Sequence, residues 1–459
     1  MNDCVKKQPS DGSHAQRPKQ PTASTSAKAR ESSRAQESTS QILVGYASKT
    51  LAVPGAAMRS ITKRLATSER LAQVVSDNLA ALETTLDYNR ANGIRIFRIS
   101  SDVIPFGSSP VNQLDWQTAF ASQLAHLGEK ARAYGIRLSM HPGQYTVLNS
   151  PDPDVAQRAA ADLAYHDAFL TALGMDGTCK IILHVGGAYG DKRAALDRFA
   201  SAYQKLPSTI RQRLVIENDD RLFTALDVLQ LCRRIGAPMV FDTLHHQINH
   251  EPGAPDQLTL IDKAGSTWTA SDGRQKIHYS QQALGKRAGA HTDTIAIDEF
   301  LEFRTALGDR CPDVMLEVKD KNLSAVKCLT CLDPNGPITR LEQEWARYKY
   351  VVLEHDQASY QRIRTLLKDK QSRPAVPFYR LVEQSLAIPA STGSFANAAQ
   401  HVWGYVSDLS TDKERASFLD AMERFQRGEA TAESVKRKLL GLARKYDQAY
   451  LLASYYFAL

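Results

Sequence analysis

Short apolar runs recur along the chain between Gly45 and Glu317, and the residue that closes a run is repeatedly a histidine or a carboxylate. Ile136-Arg137-Leu138-Ser139-Met140-His141, Ile181-Ile182-Leu183-His184, Leu214-Val215-Ile216-Glu217, Met239-Val240-Phe241-Asp242, Lys276-Ile277-His278 and Val314-Met315-Leu316-Glu317 all end this way. Runs of this length predict strands, here over 42–46, 94–99, 136–141, 179–185, 213–217, 238–242, 276–280 and 313–318. Helical stretches separate them. One runs from Thr67, a cap residue, to the stop at Asn92-Gly93, and another from Leu114 to Tyr134, closed by Gly135. Alternating strands and helices predict a parallel sheet with helices outside. About eight such units fit a TIM (β/α)8 barrel over residues 41–321, and that fold places its chemistry at the C-terminal mouth of the strands. A doubly wound open sheet would gather its ligands at one switch point, whereas here they come from at least six strand ends.

The flanks read differently. Residues 1–40 are dominated by Ser, Thr, Ala, Gln, Lys and Pro and cannot bury enough apolar surface to offset ordering entropy, which predicts a disordered basic tail. Residues 322–337, with Asp333-Pro334-Asn335-Gly336-Pro337, read as a linker. From 338 to 459 the pattern is helical throughout: Trp345, Tyr348, Val352, Leu353, Tyr360, Ile363 and Leu367 recur at helical spacing, as a core stripe does. The expected architecture is therefore an α/β barrel followed by an all-α domain, and 459 residues accommodate both.

Composition narrows the class. No apolar stretch is long enough to span a membrane and the N-terminus lacks a signal-peptide core. Cys4, Cys179, Cys232, Cys311, Cys328 and Cys331 are scattered, which suits a reducing compartment without disulfides. An intracellular protein is expected, cytoplasmic and nucleoid-associated, or nuclear in a eukaryotic source, and acting as a monomer. The net charge of +7 divides into +3 on residues 1–40, +4 on 338–459 and zero between. That balance permits a polyanionic partner without requiring one.

His141, His184, Glu217, Asp242, His245, His278, His291 and Glu317 offer more ligands than one ion can use, so a cluster of two or three divalent ions is implied. Glu217 and Glu317 suit bridging, because a carboxylate has two oxygens. Asp242-Thr243-Leu244-His245 puts a carboxylate and an imidazole on one pocket, and His291 follows the glycine of a loop. His246 is expected to orient a carboxylate rather than to bind metal. His126 and His166 fall within helices and read as structural, and Cys328-Leu329-Thr330-Cys331 has no second cysteine pair to make a zinc site. Paired ions of this kind suit phosphate-ester hydrolysis. A sugar isomerase on a two-metal barrel is the competing chemistry, although such sites lean on carboxylates and this one is half histidine.

At His141-Pro142-Gly143-Gln144-Tyr145, Glu217-Asn218-Asp219, Asp242-Thr243-Leu244-His245-His246 and Gly289-Ala290-His291 the chain resembles the UV damage endonuclease family, a group within the endonuclease-IV and xylose-isomerase-like barrels. Gly45-Tyr46, Ile104-Pro105-Phe106 and His184-Val185-Gly186-Gly187-Ala188-Tyr189 agree as well. The resemblance implies an endonuclease for damaged double-stranded DNA that nicks on the 5′ side of cyclobutane dimers and 6–4 photoproducts, and of abasic sites. It also implies a manganese-type cluster, with zinc or magnesium as alternatives. It assigns Glu217, Glu317, Lys276 and His278 to catalysis, and Gln144, Tyr145 and Tyr46 to the lesion. Lys276 resembles the family's modified active-site lysine. Thr50 and Ser109 depart from the family pattern, in which some relatives carry Asn and His. The segment from Trp345 to Leu451 resembles the YbgA-like helical domain of uncharacterised function, for which two roles stand as alternatives: DNA contacts through Arg347, Lys349, Lys436, Arg437 and Lys438, or a protein-interaction module. A general abasic-site endonuclease, and a damage-binding protein without catalysis, are the further alternatives.

Overall fold

The structure, a computed structural model, describes residues 42–459, which form one compact unit. The expected tail over 1–40 lies outside the described residues. Eight parallel strands close into a barrel in chain order: β1 (Leu43–Ala47), β2 (Ile96–Ile99), β3 (Arg137–Met140), β4 (Lys180–His184), β5 (Leu214–Glu217), β6 (Met239–Asp242), β7 (Lys276–Tyr279) and β8 (Asp313–Leu316). The TIM barrel expected from the strand pattern is thus the observed fold. A helix follows each strand: α1 (Ser68–Ala91), α2 (Ala121–Ala133), α3 (Pro153–Ala172), α4 (Lys192–Lys205), α5 (Ala225–Ile235), α6 (Gln257–Gly265), α7 (Ile297–Leu307) and α8 (Asn322–Leu332).

Successive strand residues point to opposite faces, and this alternation sorts the core. Outward residues such as Val44, Phe97, Leu138, Ile181, Ile216, Phe241, Ile277 and Val314 pack beneath the helices in the main apolar cluster. The inward set is thinner: Ala47, Ile96 and Met315 on one side, Ile182, Val215 and Val240 on the other. Gly45 also faces inward, where a Cβ would lie 2.0 Å from the Ile96 carbonyl oxygen. Ion pairs plug the N-terminal end, Arg137 to Asp313 at 2.8 Å and Lys180 to Asp272 at 2.6 Å. That leaves the opposite mouth for polar side chains of the strand ends.

The expectations fail at three places. The stretch 114–134 is two helices, because Phe120 leaves helical geometry between Trp116–Ala119 and α2. Asp115 caps the first turn, which buries Trp116 against Tyr165 and Phe169. The predicted linker 322–337 contains α8, whose Leu323, Ala325, Val326 and Cys328 are buried, so most of it is the eighth barrel helix. The third concerns the C-terminal helices, which do not form a core of their own throughout. The longer ones are α9 (Ile338–His355), α10 (Gln357–Leu366), α11 (Ala375–Leu386), α12 (Thr392–Trp403), α13 (Asp412–Gln426) and α14 (Ala432–Lys445). Leu341, Tyr348, Val352, Phe378 and Tyr379 belong to the barrel's own apolar cluster, while Phe395, Val402, Phe418 and Leu439 make a second. Polar contacts reinforce the join. Lys327 of α8 pairs with Glu383 of α11 at 2.6 Å, and Glu383 accepts the amide of Ile297 at the start of α7.

Candidate metal centre

Six strand ends deliver their ligand-type residues to one mouth. Glu217 closes β5, fully buried, and four imidazoles crowd it. His141 Nε2 lies 3.2 Å and His184 Nε2 3.6 Å from one carboxylate oxygen, and His278 Nδ1 lies 2.8 Å and His245 Nδ1 3.8 Å from the other. Among the described residues two groups of donors converge closely enough to hold an ion: His141, His184 and Glu217, and Glu217, Asp242 and His278. Glu217 is common to both. Glu317 sits beside the second group, 3.4 Å from His278 Nδ1 and 3.9 Å from His291 Nδ1. His245 lies 3.7 Å from Asp242.

The donor set fits divalent ions on structural grounds. Asp242 Oδ2, on a carboxylate of the second group, is a buried oxygen without a hydrogen-bond partner among the described residues, a costly state that a metal would relieve. The outer hydrogen bonds also choose the donor atom. His141 donates Nδ1–H to the Pro142 carbonyl at 2.9 Å and His245 donates Nδ1–H to the Asn218 carbonyl at 2.9 Å, which leaves each Nε2 free. Asn218 does more, exchanging two hydrogen bonds with the Asp242 backbone and so locking the ends of β5 and β6 together.

Electrostatics follow from this crowding. Burial by itself would raise the Glu217 pKa, but His278, His184 and His141 overcome it and hold the carboxyl well below the usual range. Burial and the charges of Glu217 and Glu317 push Asp242 up to about 6 against the pull of His245. Burial opposes charge on His245, yet Asp242, Glu217 and Glu317 raise it to about 9. Glu317 is also buried, and Arg98 and His278 hold it low. Lys276, one layer below His278, is fully buried with no hydrogen-bond partner for Nζ among the described residues; burial, with Arg137 nearby, lowers its pKa to about 7.

Gln144 and Tyr145 stand exposed on the loop after β3. Tyr46 does not join them. It faces outward next to inward-facing Gly45, is fully buried against Phe97, and its hydroxyl donates to Asn89 of α1 at 2.9 Å, so it is a core residue and is removed from the lesion set. Thr50 belongs to the same buried knot, 2.8 Å from the Tyr46 hydroxyl. Ser109 lines a cleft of about 410 Å³ with Phe106, Asp162 and Tyr145. His246 packs on Phe241 and His250 and is in neither ligand group. Among the C-terminal cations, Arg347 bonds Glu344, Lys349 lies over the rings of Tyr350 and Tyr450, Lys436 pairs with Glu354, Lys438 donates to Ser417, and Arg437 donates to the Glu433 carbonyl. All five are engaged within the helical region.

Three features escaped the sequence reading. Arg98 of β2 points into the mouth and pairs with Glu317; an arginine at an inward register in an apolar strand was the available signal. Asn218 is the second, placed directly after a ligand. The third is Asp162 of α3, which accepts from Ser108 of the β2 loop and from Thr146 of the β3 loop, both at 2.6 Å. Nothing local in a helix reveals that function.

Compared with known proteins, the chain matches the model of the family described as UV-endonuclease UvdE over residues 37–349, and that of a protein of unknown function, DUF1722, over 349–459. A UV DNA damage endonuclease of Clostridium perfringens is 34% identical over 419 residues, 90% of this chain and 98% of that one. The UV-damage endonuclease of Schizosaccharomyces pombe is 34% identical over 287 residues, 60% of this chain and 46% of its own. The crystal structure of SacUVDE aligns with a TM-score of 0.61 at 37% identity, covering 64% of this chain and 98% of that one.

Proposed function

This chain belongs to the UV-endonuclease UvdE family, and on that premise we propose that it nicks damaged double-stranded DNA immediately 5′ to ultraviolet photoproducts. Cyclobutane pyrimidine dimers and 6–4 photoproducts are the substrates, with abasic sites as a further one. The observation that carries the reading is Glu217, the one carboxylate shared by two converging donor groups at the barrel mouth.

His141, His184, Glu217, Asp242, His245, His278, His291 and Glu317 would hold two or three divalent ions, and the mixed nitrogen and oxygen donors suit manganese, with zinc or magnesium as alternatives. Bound there, such ions supply an acidified water and neutralise charge on a phosphodiester. The chain's own residues do the rest. Glu217 sets the spacing of the two donor groups. Arg98 occupies one oxygen of Glu317 and leaves the other turned toward His291. His278 stands between the two glutamates, and Lys276 places beneath them an amine whose burial favours the neutral form. Gln144 and Tyr145 meet the lesion. A photodimer stacks poorly, so extruding it costs less than extruding a normal step, and a wedging side chain turns that difference into selectivity.

The test is manganese-dependent cleavage of an end-labelled duplex carrying one cyclobutane dimer, beside undamaged and abasic duplexes. A single cut immediately 5′ to the dimer, absent from undamaged DNA, is expected. Cleavage of the abasic duplex alone would make the protein a general abasic-site endonuclease instead. Aldose isomerisation with no cut in any duplex would replace the nuclease reading altogether.

A further inference from the structure

The loops after β3 and β4 repeat one device. Each begins with a site histidine, His141 or His184, passes through glycine and turns up a tyrosine. A Cβ on Gly143 would fall 2.4 Å from the Tyr145 ring, and one on Gly187 would fall 2.8 Å from the Tyr189 ring, so each ring rests against a glycine of its own loop. Both rings remain open to solvent, 66% exposed at Tyr145 and 50% at Tyr189. Tyr189 also holds a φ of +52°, a left-handed backbone that a bulky residue seldom adopts. Strain of this kind gathers at binding sites, where the surroundings enforce it.

The surroundings here are specific. Arg198 of α4 lies over the Tyr189 ring, 5.4 Å from its centroid, and donates from Nε to the Asn149 carbonyl at 3.0 Å. Asn149, fully buried on the Tyr145 loop, donates in turn to the Gly187 carbonyl at 2.8 Å. Gly186 lets the loops press together, since a Cβ there would meet the Asn149 side chain at 2.5 Å and Val147 at 2.8 Å. Thr146, next to Tyr145, is anchored by Asp162. Two exposed aromatic rings are therefore presented on loops that Asn149 ties together and that follow two histidines of the donor cluster. The rim carries further exposed apolar side chains, Leu222 after β5 and Leu284 after β7.

We propose that Tyr189 is a second DNA-contacting residue, stacking on an unstacked base next to the step that Tyr145 probes. This rests on the nuclease reading above, which brings the phosphodiester to the mouth and so leaves the bases to meet the rim. Packing alone does not explain a half-exposed ring on a strained backbone. Stacking does, because every base offers a flat face to an aromatic ring.

The strain supplies a clean variant. Tyr189→Gly removes the ring and relaxes the left-handed residue, so its melting temperature and manganese content should equal or exceed the wild type. Its affinity for a dimer-containing duplex should fall roughly tenfold, the usual weight of one base stack. Quenching of a 2-aminopurine placed beside the dimer should disappear with it, and Tyr189→Phe should keep both. Undiminished affinity and quenching in Tyr189→Gly would overturn the proposal, as would an affinity loss that tracks a lowered melting temperature. Should the wild type not bind the dimer duplex at all, the nuclease reading fails separately. Single-stranded DNA with 2-aminopurine then decides the stacking: quenching by the wild type and not by Tyr189→Gly supports it, and equal signals refute it.

Discussion

Glu217 carries more of this centre than any other side chain, because four imidazoles approach its two oxygens and both donor groups include it. Glu217→Gln keeps the volume and removes the charge shared by the two donor groups. Cleavage should fall on the order of 100-fold or more while the circular dichroism spectrum is retained, in line with losses on removing a preorganised electrostatic group; unaltered turnover at full metal content would rule the role out. Arg98→Met should leave Glu317 without its counter-charge and lower kcat roughly 10-fold to 100-fold, as for other outer partners of metal ligands. An unchanged kcat would return Arg98 to a purely structural part. The convergence of these donors on one mouth could be read in advance because a histidine or carboxylate that closes an apolar strand is conspicuous. Tyr46 misled because its neighbour Gly45 takes the inward register, which turns the ring to the helices. Arg98 stayed hidden because β2 ends on Ile99 and no metal-binding residue marked it.

Strands and loops account for how these side chains are aimed. Each strand's boundaries emerged from its apolar run to within about two residues, since all eight are largely buried on both faces and most of them read as apolar runs. Helix α8 was obscured by Asp333-Pro334-Asn335-Gly336-Pro337, whose turn chemistry dominates the region although Leu323 to Cys328 are buried. The loops were harder still, because their order depends on partners far along the chain. Asp162 joins the β2 loop to the β3 loop through Ser108 and Thr146. The pair Ser108→Ala and Thr146→Val removes both hydroxyls with little change of volume. KM for the dimer duplex should rise several-fold with kcat and bound manganese unchanged, and hydrogen exchange should quicken over 104–109 and 143–149. An intact KM and unaltered exchange would show that the carboxylate does not hold the loops.

In the whole molecule α9 and α11 are part of the barrel's outer packing, since they share its apolar cluster and Glu383 neutralises buried Lys327. Burying such a pair demands both partners. Lys327→Met should therefore destabilise the protein by roughly 3 kcal/mol in urea unfolding, the lower end for a broken buried pair, and a cost below about 1 kcal/mol, as for surface pairs, would contradict that. A chain ending at residue 337 should melt well below the full protein, because it bares the surface that Leu341, Tyr348 and Phe378 cover. Equal melting temperatures would mark the two regions as independent. This join was invisible in advance, as helical periodicity reports an apolar face and not what covers it. The centre itself is best tested by counting manganese bound per chain at equilibrium, in the wild type and in Glu217→Gln. Two or three ions in the wild type, with at least one lost in the variant, is the expected result. One ion or none in the wild type, or an unchanged count in the variant, would contradict a bridged cluster built from the strand ends.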